Sequence, residues 1–340
     1  MLFFENDYAV GCCPEILERL ARENLSPRLG YGADDLCARA AARIAEACRA
    51  PEATVRFVCG GTQANALVIG TMLSPYEGVV CCASGHIATH EAGAIEFGGH
   101  KVLTLPQQDG KLRAEDLRAL LTAFTQDPTR EHTVYPGMVY LSHPTELGTL
   151  YTAAELRAIS EAAHEGGLSL FVDGARLAYG LACPSAEVDL PLLAELCDAF
   201  TIGGTKCGAL FGEAIVFPRQ APSHFTTRTK QHGALLAKGF ALGLQFDTLF
   251  TGGLYLALGR HALEQAMRLR AGLLARGERL FADSPTNQQF LLLEDARLAA
   301  LAQAVRMSVW AKPDPGHTAV RLATSWATLP GEVDALLDLL

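Results

Sequence analysis

Between residues 168 and 206 the chain twice runs through a short apolar stretch and twice ends it close to a charged residue. Leu168-Ser169-Leu170-Phe171-Val172 stops at Asp173-Gly174-Ala175-Arg176, and Ala199-Phe200-Thr201-Ile202 leads into Gly203-Gly204-Thr205-Lys206. Runs this short and this uniformly apolar are the mark of strands covered on both faces, as in a mostly parallel sheet between helices. In such open α/β sheets ligands bind in the crevice beyond the carboxyl ends of the strands. Asp173 and Lys206 are both delivered there. No Gly-x4-Gly-Lys or Gly-x-Gly-x-x-Gly spacing surrounds them, which counts against Walker and dinucleotide sites.

A lysine in that position, without phosphate-loop spacing, asks for a carbonyl partner. An amine forms a Schiff base with an aldehyde cofactor, and pyridoxal phosphate additionally needs an acid to pair with its protonated ring nitrogen. Lys206 and Asp173 suit those two roles. The stretch 55–59 reads as a strand, and Gly60-Gly61-Thr62-Gln63-Ala64-Asn65 turns into an apolar helix 66–72. Strand, glycine turn and helix start present backbone N–H groups and a positive dipole end to an anion, with the Thr62 hydroxyl as a further donor.

The remaining order alternates strand and helix. Helices are expected from Pro14, over 34–49, 116–124 and 153–165, the last with Thr152 and Glu155 spaced as a capping box. Strands are expected at 78–83, 101–105, 138–141 and 212–217, and the segment 125–137 reads as a polar loop. A long helical region 251–280 leads to strands near Phe290 and Met307 and to a closing stretch 320–328. With 340 residues the natural division is a large domain 1–250 and a smaller α/β domain 251–340, with residues 1–14 packing against the smaller one.

Composition narrows the classes. A formal charge of −9 and no basic run exclude a nucleic-acid surface, and no segment is apolar and long enough for a membrane span. The ten cysteines include no Cys-x-x-Cys, so no metal site is expected; they read as core residues of a reducing, cytoplasmic compartment.

Phe-Val-Asp173-Gly-Ala-Arg176 and Gly-Thr-Lys206 together resemble the hallmarks of the threonine aldolase and β-eliminating lyase group of fold type I pyridoxal phosphate enzymes, and the similarity runs over nearly the whole chain. The resemblance implies a large domain with a mostly parallel sheet of the seven-stranded type. It implies that Gly61, Thr62, Asp173, Arg176, Thr205 and Lys206 hold the cofactor, that His86 stacks on its ring, and that Arg321 clamps the substrate carboxylate with Arg176 beside it. Asn6 falls where a small polar side chain lies near that carboxylate. Tyr31 and Lys238 match residues that reach a neighbouring subunit's site, so a homodimer or homotetramer with shared sites follows. His143, oriented by Glu146, joins His86 as a candidate base. The implied reaction is retro-aldol cleavage of a β-hydroxy-α-amino acid; the alternatives are β-elimination from another amino acid and, from another class, a non-catalytic binding protein.

Overall fold

The computed structural model describes residues 1–340. Seven strands form one sheet in the order Thr54–Val58, Glu213–Phe217, Ala199–Gly203, Ser169–Asp173, Tyr135–Ser142, Glu77–Cys82 and Val102–Leu105. Only Glu213–Phe217 runs against its neighbours, so the returning strand read in the sequence sits inside an otherwise parallel sheet. All five residues of Ala199–Gly203 and of Glu213–Phe217 are buried, which is why these runs lack a polar face. One apolar layer, with Leu141, Val172 and Phe200, packs under helices including Ala153–Glu165 and Leu254–Ala275; the other, with Tyr140, Phe171 and Ile215, packs under Gly61–Met72.

The local signals account for the helix ends. Pro14 opens Pro14–Glu23, and the Asp34 carboxylate accepts from the Cys37 N–H at the start of Asp35–Ala47. The Thr152–Glu155 capping box forms with both bonds, at 3.1 and 2.8 Å. Four readings differ. The helix after the first strand begins at Gly61, not at residue 66, because Gly60 is itself the extended N-cap. The expected loop up to 137 is cut short by the strand Tyr135–Ser142: Gly137 serves close packing, since a Cβ there would lie 2.8 Å from the Leu73 side chain. The region 251–280 is preceded by a separate buried helix, Phe240–Leu249, and the closing stretch ends as a strand at Ala323, followed by an unanticipated helix, Pro330–Leu339.

A second, antiparallel sheet has the order Ser308–Asp314, His317–Ala323, Gln288–Glu294 and Leu280–Ala282. Leu2–Phe3 pairs with Val305–Arg306, and Phe4 packs with Leu269, Leu291, Val320 and Leu336. The long helix Leu254–Ala275 contributes Tyr255 and Ala262 to the main core and Leu269 and Leu273 to the smaller one. We therefore propose that the division between domains falls within this helix. No helix is long and apolar enough to cross a membrane.

Candidate active site

The parallel strands end on one edge, and the loops leaving them surround a cleft lined by Gly61, Thr62, His86, Glu146, Asp173, Arg176 and Lys206. Asp173 is the last residue of its strand. Its Oδ2 accepts from the Tyr140 hydroxyl at 2.7 Å and the Asn65 amide at 2.9 Å, and its Oδ1 from the Ala175 N–H at 2.9 Å and the Thr201 hydroxyl at 3.4 Å. The carboxylate is fixed as an acceptor facing the cleft. Lys206 lies just past the neighbouring strand in a turn held by the Tyr179 hydroxyl on its carbonyl. Thr205 does not line the cleft: its hydroxyl accepts from the Gly212 N–H at 3.0 Å and shapes the lysine's turn.

At the start of the twelve-residue helix Gly61–Met72 no side chain caps the terminus, and the N–H groups of Gly61, Thr62 and Gln63 have no protein partner. A Cβ built on Gly60 or Gly61 meets nothing within 4 Å, so open space faces these donors. Unpaired N–H groups at a helix N-terminus, with room in front of them, suit a phosphate. The donor set therefore fits pyridoxal phosphate: an anion cradle, a fixed carboxylate for the ring nitrogen and an amine for the aldehyde.

His86 opens the short helix His86–Thr89. Its Nδ1 lies 3.3 Å from Glu146 Oε1 and its Nε2 3.9 Å from Glu91 Oε1. Burial pushes the imidazole pKa down, but the bond and charge of Glu146 more than offset this and leave it raised. Burial pushes Glu146 up, and the His86 bond followed by the charges of His86, Arg176 and Lys206 bring it down to about 2. Glu146 thus serves His86, not His143 as the sequence suggested. His143 is 2% exposed, both its ring nitrogens lack a partner, and its ring lies 6.2 Å from that of Tyr151 rather than in the cleft. Burial, with a further push from Lys111, lowers its pKa to about 4.

Two further acids border the site. Glu91 is buried and accepts from Asn65 at 2.8 Å, and burial raises its pKa. Glu213, at the start of its strand and buried, has one oxygen without a partner; burial, opposed by Lys206, raises its pKa to about 8.

The arginines divide their work differently from the expectation. Arg176 lines the cleft, yet its Nε and Nη2 are spent on the fully buried Asp7, at 2.7 and 3.0 Å, so it does not offer a free bidentate clamp. Asp7 also accepts from Asn287 at 2.9 Å. Arg321, on the strand His317–Ala323, touches Gln288 at 3.1 Å and Ser308 at 3.3 Å, and its buried Nε has no partner. Burial and then the charge of Arg176 lower its pKa. A cation held next to a second cation is set up to receive an anion.

Asn6 stays outside the cleft lining; its side-chain oxygen accepts from the Tyr8 N–H at 3.0 Å in a local turn. Tyr31 and Lys238 also stay outside the cleft, but side by side: the Tyr31 N–H donates to the Ala237 carbonyl at 3.0 Å, and both side chains are exposed. Tyr31 is 53% exposed, with the Lys230 amine 4.6 Å above its ring.

The sheet is that of the aspartate aminotransferase-like, fold type I pyridoxal phosphate enzymes. A Thermus thermophilus aspartate aminotransferase shares this fold at TM-score 0.73 and 16% identity, covering 100% of this chain and 90% of its own. The chain belongs to the β-eliminating lyase family, which it matches over residues 6–308, and it is a pyridoxal phosphate-dependent lyase. It is 33% identical over 334 residues to the low specificity L-threonine aldolase of Pseudomonas aeruginosa, covering 96% of this chain and 93% of that one. The corresponding enzyme of a Pseudomonas strain is 34% identical over 306 residues, covering 88% and 86%. The solved structure of Leishmania major threonine aldolase superposes at TM-score 0.96 with 43% identity, covering 100% of this chain and 98% of that one.

Proposed function

We propose that this chain cleaves L-threonine-like β-hydroxy-α-amino acids to glycine and an aldehyde. The observation that carries the reading is His86, half-buried with its Nδ1 3.3 Å from Glu146 in the same cleft as Lys206 and Asp173. Relatives with threonine aldolase names along nearly the full chain support it. Lys206 would hold the cofactor aldehyde, Asp173 its ring nitrogen, and the N–H groups of Gly61, Thr62 and Gln63 its phosphate. When bound, pyridoxal phosphate supplies an electron sink for the pair freed at the amino acid's Cα.

The chain's own residues do the rest. Arg321 receives the α-carboxylate, with the remaining nitrogen of Arg176 beside it, and this fixes which substituent of Cα stands next to His86. His86, directly or through one water, takes the β-hydroxyl proton, and Glu146 stabilises the imidazolium that results. As the Cα–Cβ bond breaks, the hydroxyl oxygen becomes the aldehyde carbonyl; a proton returned to Cα completes glycine. Tyr31 and Lys238 face outward together, which supports a homodimer or homotetramer in which they complete a neighbour's site. Ten unpaired cysteines, nine of them buried, support a reducing cytoplasmic setting.

The test is a product balance. Cofactor-loaded protein given L-threonine, L-allo-threonine or L-serine is assayed for glycine, aldehyde, ammonia and keto acid together. Glycine and aldehyde in equal amounts are expected; ammonia and keto acid without glycine would replace the aldolase with a β-eliminating lyase.

A further inference from the structure

One buried acid stands beside the Lys206 turn and takes no part in the chemistry assigned above. Glu213 opens the strand that runs against its neighbours in the large sheet, so it begins where they end. It pairs with Val58, the last strand residue before Cys59 and Gly60 lead into the cradle, and with Gly203, the last residue of the strand that leads to Lys206. The lysine's turn is tied to the residue just before the acid: the N–H groups of Gly204 and Thr205 donate to the Gly212 carbonyl at 3.0 and 3.1 Å. Side chains alternate between the two faces of a strand. Ile215 and Phe217 pack under the helix Gly61–Met72 with Val58 beside them, whereas Ala214 and Val216 lie in the other layer. The Glu213 carboxyl therefore leaves the sheet on the helix side, beneath the turn that carries the free N–H groups of Gly61, Thr62 and Gln63. It is 3% exposed, and its Oε2 has no partner. A buried polar atom left unpaired is costly, so this one calls for a partner that the protein alone does not supply.

Few ionisable groups face it. Lys206 and Asp173 act on it through charge, one attracting and one repelling, with Thr205 as a polar neighbour. Cys207 and Tyr255, both buried, feel its charge and keep their protons. The helix Gly61–Met72 carries no titratable side chain, and Arg56, two residues back from Val58 on the neighbouring strand, is exposed. Burial, opposed by Lys206, raises the Glu213 pKa to about 8, so near pH 7 the carboxyl is neutral. We propose that Glu213 is the proton switch of the phosphate cradle: neutral, it sets no charge against a phosphate and offers its O–H to it; ionised, it places a carboxylate under the cradle and drives the phosphate out. An ionised Glu213 is a rival anion for the same helix dipole and N–H groups. The proposal rests on the cradle as the phosphate site and holds whichever bond of the substrate is cut.

The experiment compares pyridoxal phosphate with 5′-deoxypyridoxal, which has the same ring and aldehyde but no phosphate. Both are titrated into the cofactor-free wild type and Glu213→Gln at pH 7 and pH 9, and Kd is read from the quenching of protein fluorescence. Lys206 and Asp173 meet the two compounds alike, so the ratio of their Kd values isolates the phosphate, which is largely a dianion at both pH values. With only the neutral acid competent, the wild-type preference for pyridoxal phosphate should fall roughly tenfold from pH 7 to pH 9, following the neutral fraction of a group that titrates near 8. In Glu213→Gln it should change by less than about twofold. A wild-type preference that holds at pH 9, or one that falls as much in Glu213→Gln, would overturn the proposal. The wild-type arm decides it even should the variant fail to fold. A wild type that prefers neither compound at pH 7 would remove the cradle, and the proposal with it, whereas the aldolase reading is judged separately by its product balance.

Discussion

Asp7 offers the sharpest stability test because the structure leaves its partner no alternative. Asp7 is fully buried and Arg176 8% exposed, and three bonds converge on the carboxylate, two from Arg176 and one from Asn287. Asp7→Ala removes the acceptor and leaves a buried guanidinium without its partner, a change that costs about 3–5 kcal/mol. At about 2 °C per kcal/mol for a chain of this size, the melting temperature of the cofactor-free protein should fall by about 6–10 °C. Arg176→Met should cost a similar amount by stranding the carboxylate, while the double variant, with both charges gone, should lose at least about 3 kcal/mol less than the sum. Burial opposes ionisation of Asp7, but the charges of Arg176 and then Lys206 and the bonds from Arg176 and Asn287 hold its pKa below the usual carboxylate range. A lowered folded pKa means stability present above the unfolded value and lost as pH falls through the folded one. The wild-type and Asp7→Ala curves should therefore converge in acid. Urea unfolding at one fixed protein concentration measures all four proteins. Costs that add to within about 0.5 kcal/mol would refute the coupling.

Glu146→Gln removes the main support of protonated His86, so the imidazole pKa falls and the acid limb of kcat/KM, where the base must be neutral, moves to lower pH; a pH–rate profile that does not move would place the base elsewhere. Gly61→Val fills the open space before the helix N-terminus in a backbone that tolerates it. The cofactor-free protein should melt no lower, while a titration should show pyridoxal phosphate bound at least about tenfold more weakly. Glu213, neutral when buried and with a pKa raised to about 8, makes the cofactor-free fold lose stability as pH rises from the unfolded value through 8; Glu213→Gln should flatten that decline in urea unfolding curves at pH 5 and 9.

The sheet was legible because its signals are local. Each apolar run stops at a residue of different chemistry, and the Thr152 cap announces itself by Glu155 three residues on. The residues that bind Asp173 in place were not legible, because their partners are distant in the chain. Asn65 lies 108 residues before Asp173, Tyr140 lies 33 before it, and Asp7 lies 169 before Arg176. A faint signal existed for Asn65, a buried amide on a largely apolar helix, and for Tyr140, a hydroxyl within a buried run. His143 misled for the same reason: its sequence neighbour Glu146 turns to His86 across the cleft, leaving the His143 ring against Tyr151. His90, which closes the short helix His86–Thr89, reads as an ordinary histidine in the sequence; only the fold shows the Trp310 indole of the small sheet 6.0 Å from its ring.

The assignment on which everything rests is Lys206 as the amine that holds the cofactor beside Asp173. Borohydride reduction of the pyridoxal phosphate-loaded protein, followed by peptide mapping, fixes the covalent label to one lysine. The account predicts a single labelled peptide containing Lys206 and none in Lys206→Ala; a label on Lys238, Lys230 or any other lysine in the wild type would contradict it.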